Sequence, residues 1–223
     1  MKTSVIFSSE EVRSVLAGGK TQFRIPCEIT INGNQHVDPK YAIDVHFPEK
    51  NVDGLCADFY GDHEPYVNNQ NLTDRQLFYV GVSQQPFNVG DVIYVRETVG
   101  YGYYAAWDKK TFYKADYHES DNTDFVARWV PAAAMPKEEA RLFLRVNGIG
   151  VQRVQDISYE GCKKEGISID DGTHILNNDD LTELEAYRKC FSKRWDKSLS
   201  IKKKTEYGWE QNPWVWVVSF ERG

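Results

Sequence analysis

Apolar positions along the chain alternate between helical and strand spacing, and the changes of period mark the elements. Val5-Ile6-Phe7 is a short β-type run. Ser8 and Glu11 form the reciprocal capping pair of a helix start, after which Val12, Val15 and Leu16 recur at helical spacing. Gly18-Gly19 ends that helix, because glycine adopts the left-handed cap that other residues resist, and Lys20 to Ile25 runs extended as far as Pro26. From Cys27 to about Pro86 the chain is polar and weakly periodic. It carries candidate strands at Glu28–Ile31, Tyr41–Phe47 and Leu77–Val82 and one strong turn signal, Asn32-Gly33. This stretch, 28–86, reads as an insertion or an elaborated loop region.

Regular patterning returns at Gly90-Asp91, which leads into the β-rich run Val92 to Glu97, a strand that delivers two opposite charges, Arg96 and Glu97, at its end. Phe112 to Asp116 reads as a further strand, and Trp129-Val130-Pro131 through Met135-Pro136 as a proline-bounded loop. Ala140 to Val146 alternates polar and apolar, with Val151–Val154 extending it past a glycine kink. Asp156-Ile157-Ser158 opens a short helix that closes near Glu165-Gly166. A longer helix follows from Leu181 to about Asp196, with Leu184, Tyr187, Phe191 and Trp195 on one stripe. Trp214–Phe220, apolar on both faces, predicts a strand buried inside a sheet. Strands and helices alternate irregularly with few crossover-length helices, so the expected class is α+β with a closed or highly curved sheet. The whole of 1–223 reads as one domain, with the 28–86 insertion and a C-terminal helix plus buried strand at 181–220.

The chain has 223 residues and a formal charge of −6. That sign excludes a basic coat spread over the whole surface, so any nucleic-acid site has to be local. One segment qualifies: Ala186–Glu206 holds eight Lys or Arg against two acids, a net of +6 set against −12 for the remainder. No apolar run approaches the ~20 residues of a membrane span, and the N-terminus turns polar too soon for a signal peptide, so a cytoplasmic location without membrane contact is expected. The four cysteines, Cys27, Cys56, Cys162 and Cys190, have no ligand spacing and read as free thiols. The five histidines are equally scattered, and nothing argues for a metal or a cofactor.

Four features carry candidate chemistry. Gly18-Gly19-Lys20-Thr21 resembles the end of a phosphate loop, but the first glycine is missing and the segment follows its helix instead of preceding it. Lys20 then reads either as a cation at a helix C-terminus or as a site residue. Arg96-Glu97 ends a strand. Glu165 ends a helix, where its charge opposes the dipole, which suggests another purpose. Lys193 to Lys204 is a run able to neutralise phosphates.

These pieces together resemble the ASCH domain of the PUA-like β-barrel superfamily, in the form found in phages and prophages. The likeness rests on Leu16-Ala-Gly-Gly-Lys-Thr-Gln22, Gly90 to Thr98, Tyr113 to Asp116, Trp129-x-Pro131 with Met135-Pro136 and Ala140-Arg141, Val151–Ile157 with Glu165-Gly166, and Trp195, Trp209 and Asn212 to Val217. The resemblance implies a PUA-like curved β-barrel with short flanking helices and loop insertions. It also implies binding of RNA or a modified nucleotide or nucleoside in a cleft beside the Gly-Lys-Thr segment. Lys20, Arg24, Arg96, Glu97, Lys202, Lys203 and Lys204 are the expected ligand contacts.

A small bacterial relative in this family deacetylates acetylcytidine with a lysine, a threonine and a glutamate. The lysine matches Lys20 and the glutamate Glu165, whereas the threonine position holds Phe23, which leaves Thr21 as the substitute nucleophile. The family's signature, G-x-K-x-x-E-x-R, puts its last arginine at Ile25, with Arg24 one place early. An amidohydrolase using Lys20, Thr21 and Glu165 is therefore one alternative to binding. A ribonuclease is another, and a phage interaction protein without catalysis is a further one.

Overall fold

The structure is a computed structural model, which describes residues 3–31, 35–36, 42, 44–46, 56–61, 78–103, 109–118, 120–169 and 182–223. It opens with strand β1 (Ser4–Ile6) and helix α1 (Ser9–Leu16), whose start is held by the Ser8–Glu11 capping box. Val12 and Val15 are buried, whereas Leu16, expected on the same face, is 39% exposed because it lies in the last turn. Gly18, at φ 77°, reverses the chain into β2 (Gln22–Pro26).

The stretch read as an insertion is a sheet in its own right. β3 (Thr30–Ile31), β4 (Gln35–His36), β5 (Asp44–His46), β6 (Cys56–Gly61) and β7 (Phe78–Gln84) are ordered β4-β3-β7-β6-β5. Three candidate strands overlap β3, β5 and β7. The longer β6 has no counterpart among them, because Cys-Ala-Asp-Phe-Tyr-Gly lacks clean alternation. The Asn32-Gly33 turn lies outside the described residues.

The central sheet runs β1-β8-β12-β13-β2, with β8 (Val92–Arg96), β12 (Phe143–Arg153) and β13 (Trp214–Arg222). β1 lies parallel to β8, and the other neighbours are antiparallel. The two runs at Ala140–Val146 and Val151–Val154 join into the single strand β12, whose pairing shifts register between Val146 and Gly148. A third sheet, β10-β9-β11, comprises β9 (Val99–Tyr103), β10 (Lys109–Tyr113) and β11 (Val126–Val130). The strand expected over Phe112 to Asp116 stops at Tyr113 and continues as a 3-10 turn over Lys114–Asp116.

The central sheet is curled. Phe7, Phe23, Ile93, Val95, Leu144, Val146, Val218 and Phe220 share one core, and the Phe7 and Phe23 rings, from opposite ends of the strand order, are 5.7 Å apart. The expected barrel is nevertheless not closed: among the described residues β1 and β2 have no strand pairing to each other. What stands is an α+β arrangement of several sheets and a few helices.

Along the same inner face, Ile25 and Ile149 link this core to a second one, where Trp216 packs with Ile29 and Phe59 of the 28–86 region. The opposite face of β13 is covered by helices α2 (Tyr159–Lys164) and α3 (Glu183–Ser198), which pack Ile157, Cys162, Phe191 and Trp195 on Val215. This explains the two-sided apolar pattern of the last strand. The basic run after α3 forms a fourth helix, α4 (Ile201–Tyr207). Cys27, Cys162 and Cys190 are free, and Cys162 packs in the core under α2, where burial pushes its thiol up to about 11. No helix among the described residues is long and apolar enough to cross a membrane.

Candidate functional site

The start of β2 is fastened to the end of α2. Lys20 forms an isolated bridge with Glu165, and the Thr21 N–H donates to the Lys164 carbonyl at 2.8 Å. Gly166, at φ 75°, makes the approach possible, since a Cβ there would sit 2.3 Å from Ser14 Oγ and 3.0 Å from Lys20 Cβ. Two residues far apart in sequence are thereby placed side by side.

Their side chains complete the contact. Lys20 Nζ donates to Glu165 Oε2 at 2.7 Å and to the Glu165 carbonyl at 3.1 Å, and it lies 3.3 Å from Glu11 Oε1 and 5.1 Å from the centre of the Phe7 ring. Arg24 Nη1 donates to Glu165 Oε1 at 2.6 Å, with its guanidinium over Phe191. Arg194 on α3 donates to the carbonyls of Glu165 and Gly166, which α2 leaves without helical partners.

Glu165 therefore does not oppose its helix end unaided: Lys20, Arg24 and Arg194 surround that terminus with positive charge. Side-chain exposure is 0% for Lys20, 3% for Arg24 and 5% for Glu165, so each charge depends on the others for compensation. Glu11 caps α1 through Ser8 and faces Lys20 with its other oxygen. Burial works to raise its pKa, but Lys20, the Ser8 N–H and hydroxyl, and Arg194 outweigh this and hold the carboxyl below its usual 4.5.

Beside this cluster is a cleft of about 690 Å³ between the unpaired edges of β1 and β2 and the C-terminal part of α3. Phe7, Phe23, Phe87, Phe191 and Trp195 supply its apolar surface, and Glu11, Glu165, Arg24, Arg96, Arg194 and Lys203 its charged one. Arg96 enters from the end of β8, and its Nη2 donates to the Ala133 carbonyl. Among the described residues, the Nε atoms of Arg24 and Arg96, both on residues that line the cleft, are buried and have no hydrogen-bond partner.

The expected site residues thus fall into three groups. Lys20, Arg24, Arg96, Glu165 and Lys203 converge on the cleft or its wall, although Lys20 itself is sealed behind Glu165 and Glu11. Thr21 is held by backbone hydrogen bonds to Lys164 and Phe220 and does not line the cleft. Phe23 is packed against Phe7, Phe87 and Phe220. Glu97, Lys202 and Lys204 lie elsewhere. Glu97 is buried and accepts two hydrogen bonds from Arg141, at 2.8 and 3.0 Å, whereas Lys204 pairs with Asp196 on the exposed side of α4.

Glu11, Arg194 and Phe191 belong to the site without being singled out by the sequence. Glu11 is already accounted for by its cap, and nothing local in the α3 pattern indicates that Arg194 reaches the end of α2. No protein-family model matches this chain, and neither a curated protein nor a solved structure matches it.

Proposed function

We propose that this chain is an ASCH-type, PUA-like protein that binds a nucleotide unit of RNA, or a free or modified nucleotide, in the cleft between β1 and β2. The observation that carries this reading is the pair of buried, unpartnered Nε atoms of Arg24 and Arg96. A buried guanidinium N–H without an acceptor costs free energy, and an anionic oxygen that accepts from Arg24 or from Arg96 removes that cost. Phe7, Phe23, Phe87, Phe191 and Trp195, each almost fully buried, give the cleft an apolar floor beside that anion.

Binding fits the cleft better than hydrolysis. Lys20 has three acceptors around its ammonium, the family threonine is replaced by the packed ring of Phe23, and Thr21 is not among the residues that line the cleft. The test is titration with uridine monophosphate, followed by calorimetry. Saturable binding that weakens at least about tenfold in Arg96→Ala is expected, the loss of one charge-assisted hydrogen bond. Absence of binding, or equal affinity in the variant, overturns the reading. Incubation with acetylcytidine is expected to release no cytidine.

A further inference from the structure

The two halves of the central sheet's outer face differ. Over β13 that face is covered by α2 and α3, and Val215 is fully buried. Over β1, β8 and the start of β12 it is more open among the described residues: Ile6 is 52% exposed, Val92 53% and Phe143 41%. The alternation along each strand defines this surface. Ile93, Val95 and Leu144 point into the core, so Tyr94, Arg96, Phe143 and Arg145 project outward. Register sets them side by side, with Ser4 opposite Tyr94, Tyr94 opposite Phe143, and Ile6 opposite Arg96. Lys137 Nζ lies 5.9 Å from the centre of the Tyr94 ring.

We propose that this face carries a single strand of RNA away from the cleft, with a base neighbouring the cleft-bound nucleotide stacked on Phe143 beside Tyr94. The inference rests on the nucleotide reading of the cleft. Three observations carry it. An exposed aromatic on a sheet face offers a π-surface to any unpaired base. Lys137, Arg145 and Arg96 flank it with positive charge for phosphates, and Arg145 is only loosely engaged, 3.9 Å from Glu221 with both side chains more than half exposed. The face is also continuous with the cleft, since Ser4, Ile6 and Arg96 belong to both. Phe143 stands two strand spacings from β1, about 10 Å, within reach of an adjoining nucleotide.

This path differs from the one suggested by the lysine run. Lys202 and Lys204 are not cleft residues, and the aromatic of α4, Tyr207, is buried.

The experiment compares a labelled oligouridylate with uridine monophosphate on the full chain. The oligonucleotide is expected to bind more tightly than the monophosphate. Phe143→Leu, which keeps an apolar side chain but no ring, is expected to weaken oligonucleotide binding about tenfold and leave monophosphate binding and the thermal midpoint unchanged, whereas Phe143→Trp retains the affinity. Arg145→Gln is expected to lower the salt slope of oligonucleotide binding by about one.

An oligonucleotide no tighter than the monophosphate, or one indifferent to Phe143→Leu, overturns the proposal and leaves the cleft reading intact. The proposal also fails if the loss appears in Lys202→Gln with Lys204→Gln instead, or if Phe143→Leu changes the oligomeric state in sedimentation. Oligonucleotide binding sensitive to Phe143 without monophosphate binding overturns the cleft reading alone. Failure of both ligands to bind overturns both.

Discussion

Two ionic clusters stand at strand ends of this protein, and their difference separates a structural tie from a site. In the first, Glu97 at the end of β8 is gripped by Arg141, which also binds Asp116 at 2.8 Å and lies 3.9 Å from the centre of the Tyr113 ring. In the second, Glu165 is shared by Lys20 and Arg24, and the arginine keeps one buried donor in reserve beside an open cleft. Both clusters satisfy their carboxylates. Only the second has an unspent donor among the described residues, Arg24 Nε, and it belongs to a residue that lines the cleft. Consecutive residues where β8 ends serve the two: Arg96, the last of the strand, belongs to the cleft and Glu97, just beyond it, to the tie.

The comparison can be strained at several points. The largest expected effect is that of Glu165→Ala, which leaves Lys20 and Arg24 as buried charges without their shared carboxylate. A loss of about 3–5 kcal/mol in denaturant unfolding is expected. Glu97→Ala is expected to cost less, about 1.5–3 kcal/mol, because Arg141 is 23% exposed and keeps Asp116. It should leave nucleotide binding untouched. A Glu97 variant that lost binding, or a Glu165 variant as stable as the parent, would show that the roles of the two clusters are reversed.

The smallest effect concerns acid. Glu11 has a folded pKa below its ordinary 4.5, so the stability it contributes is complete above that value and is lost as the pH falls through the lowered one. Unfolding midpoints measured on acidification should therefore fall more steeply in the parent than in Glu11→Gln. Equal slopes would mean that Glu11 is not coupled to Lys20.

Much of the scaffold was legible in local pattern. Ser8 with Glu11, Ser158 before α2, Gly18 and Gly166 at positive φ, and the two-sided apolar run of β13 each follow from short-range chemistry. The 28–86 region was harder. Its strands are short, and their buried residues, Ile29, Ala57 and Phe59, are spaced too irregularly to show a period until Trp216 is placed against them. The helical character of Ile201–Tyr207 was hidden by its lysines, since charge dominates the pattern where apolar spacing is thin.

The candidate site divides in the same way. Lys20, Arg24, Arg96 and Glu165 are distinctive from their positions at turns and element ends, where side chains are delivered to edges and clefts. Their mutual distances, the sealing of Lys20 behind two carboxylates, the place of Thr21 outside the cleft lining and the separation of Arg96 from Glu97 are not local properties. The amino-acid sequence by itself determined the capped helices, the alternating strands and which residues carry charge at their ends, because propensity, capping and period act within a few residues. Only the tertiary structure decided that the sheet curls without closing, that its two unpaired edges frame a cleft, and that two arginine donors are left there without acceptors. Those outcomes depend on contacts between Phe7 and Phe23 and between Lys20 and Glu165, pairs that meet only once the sheet has curled and α2 has packed against it.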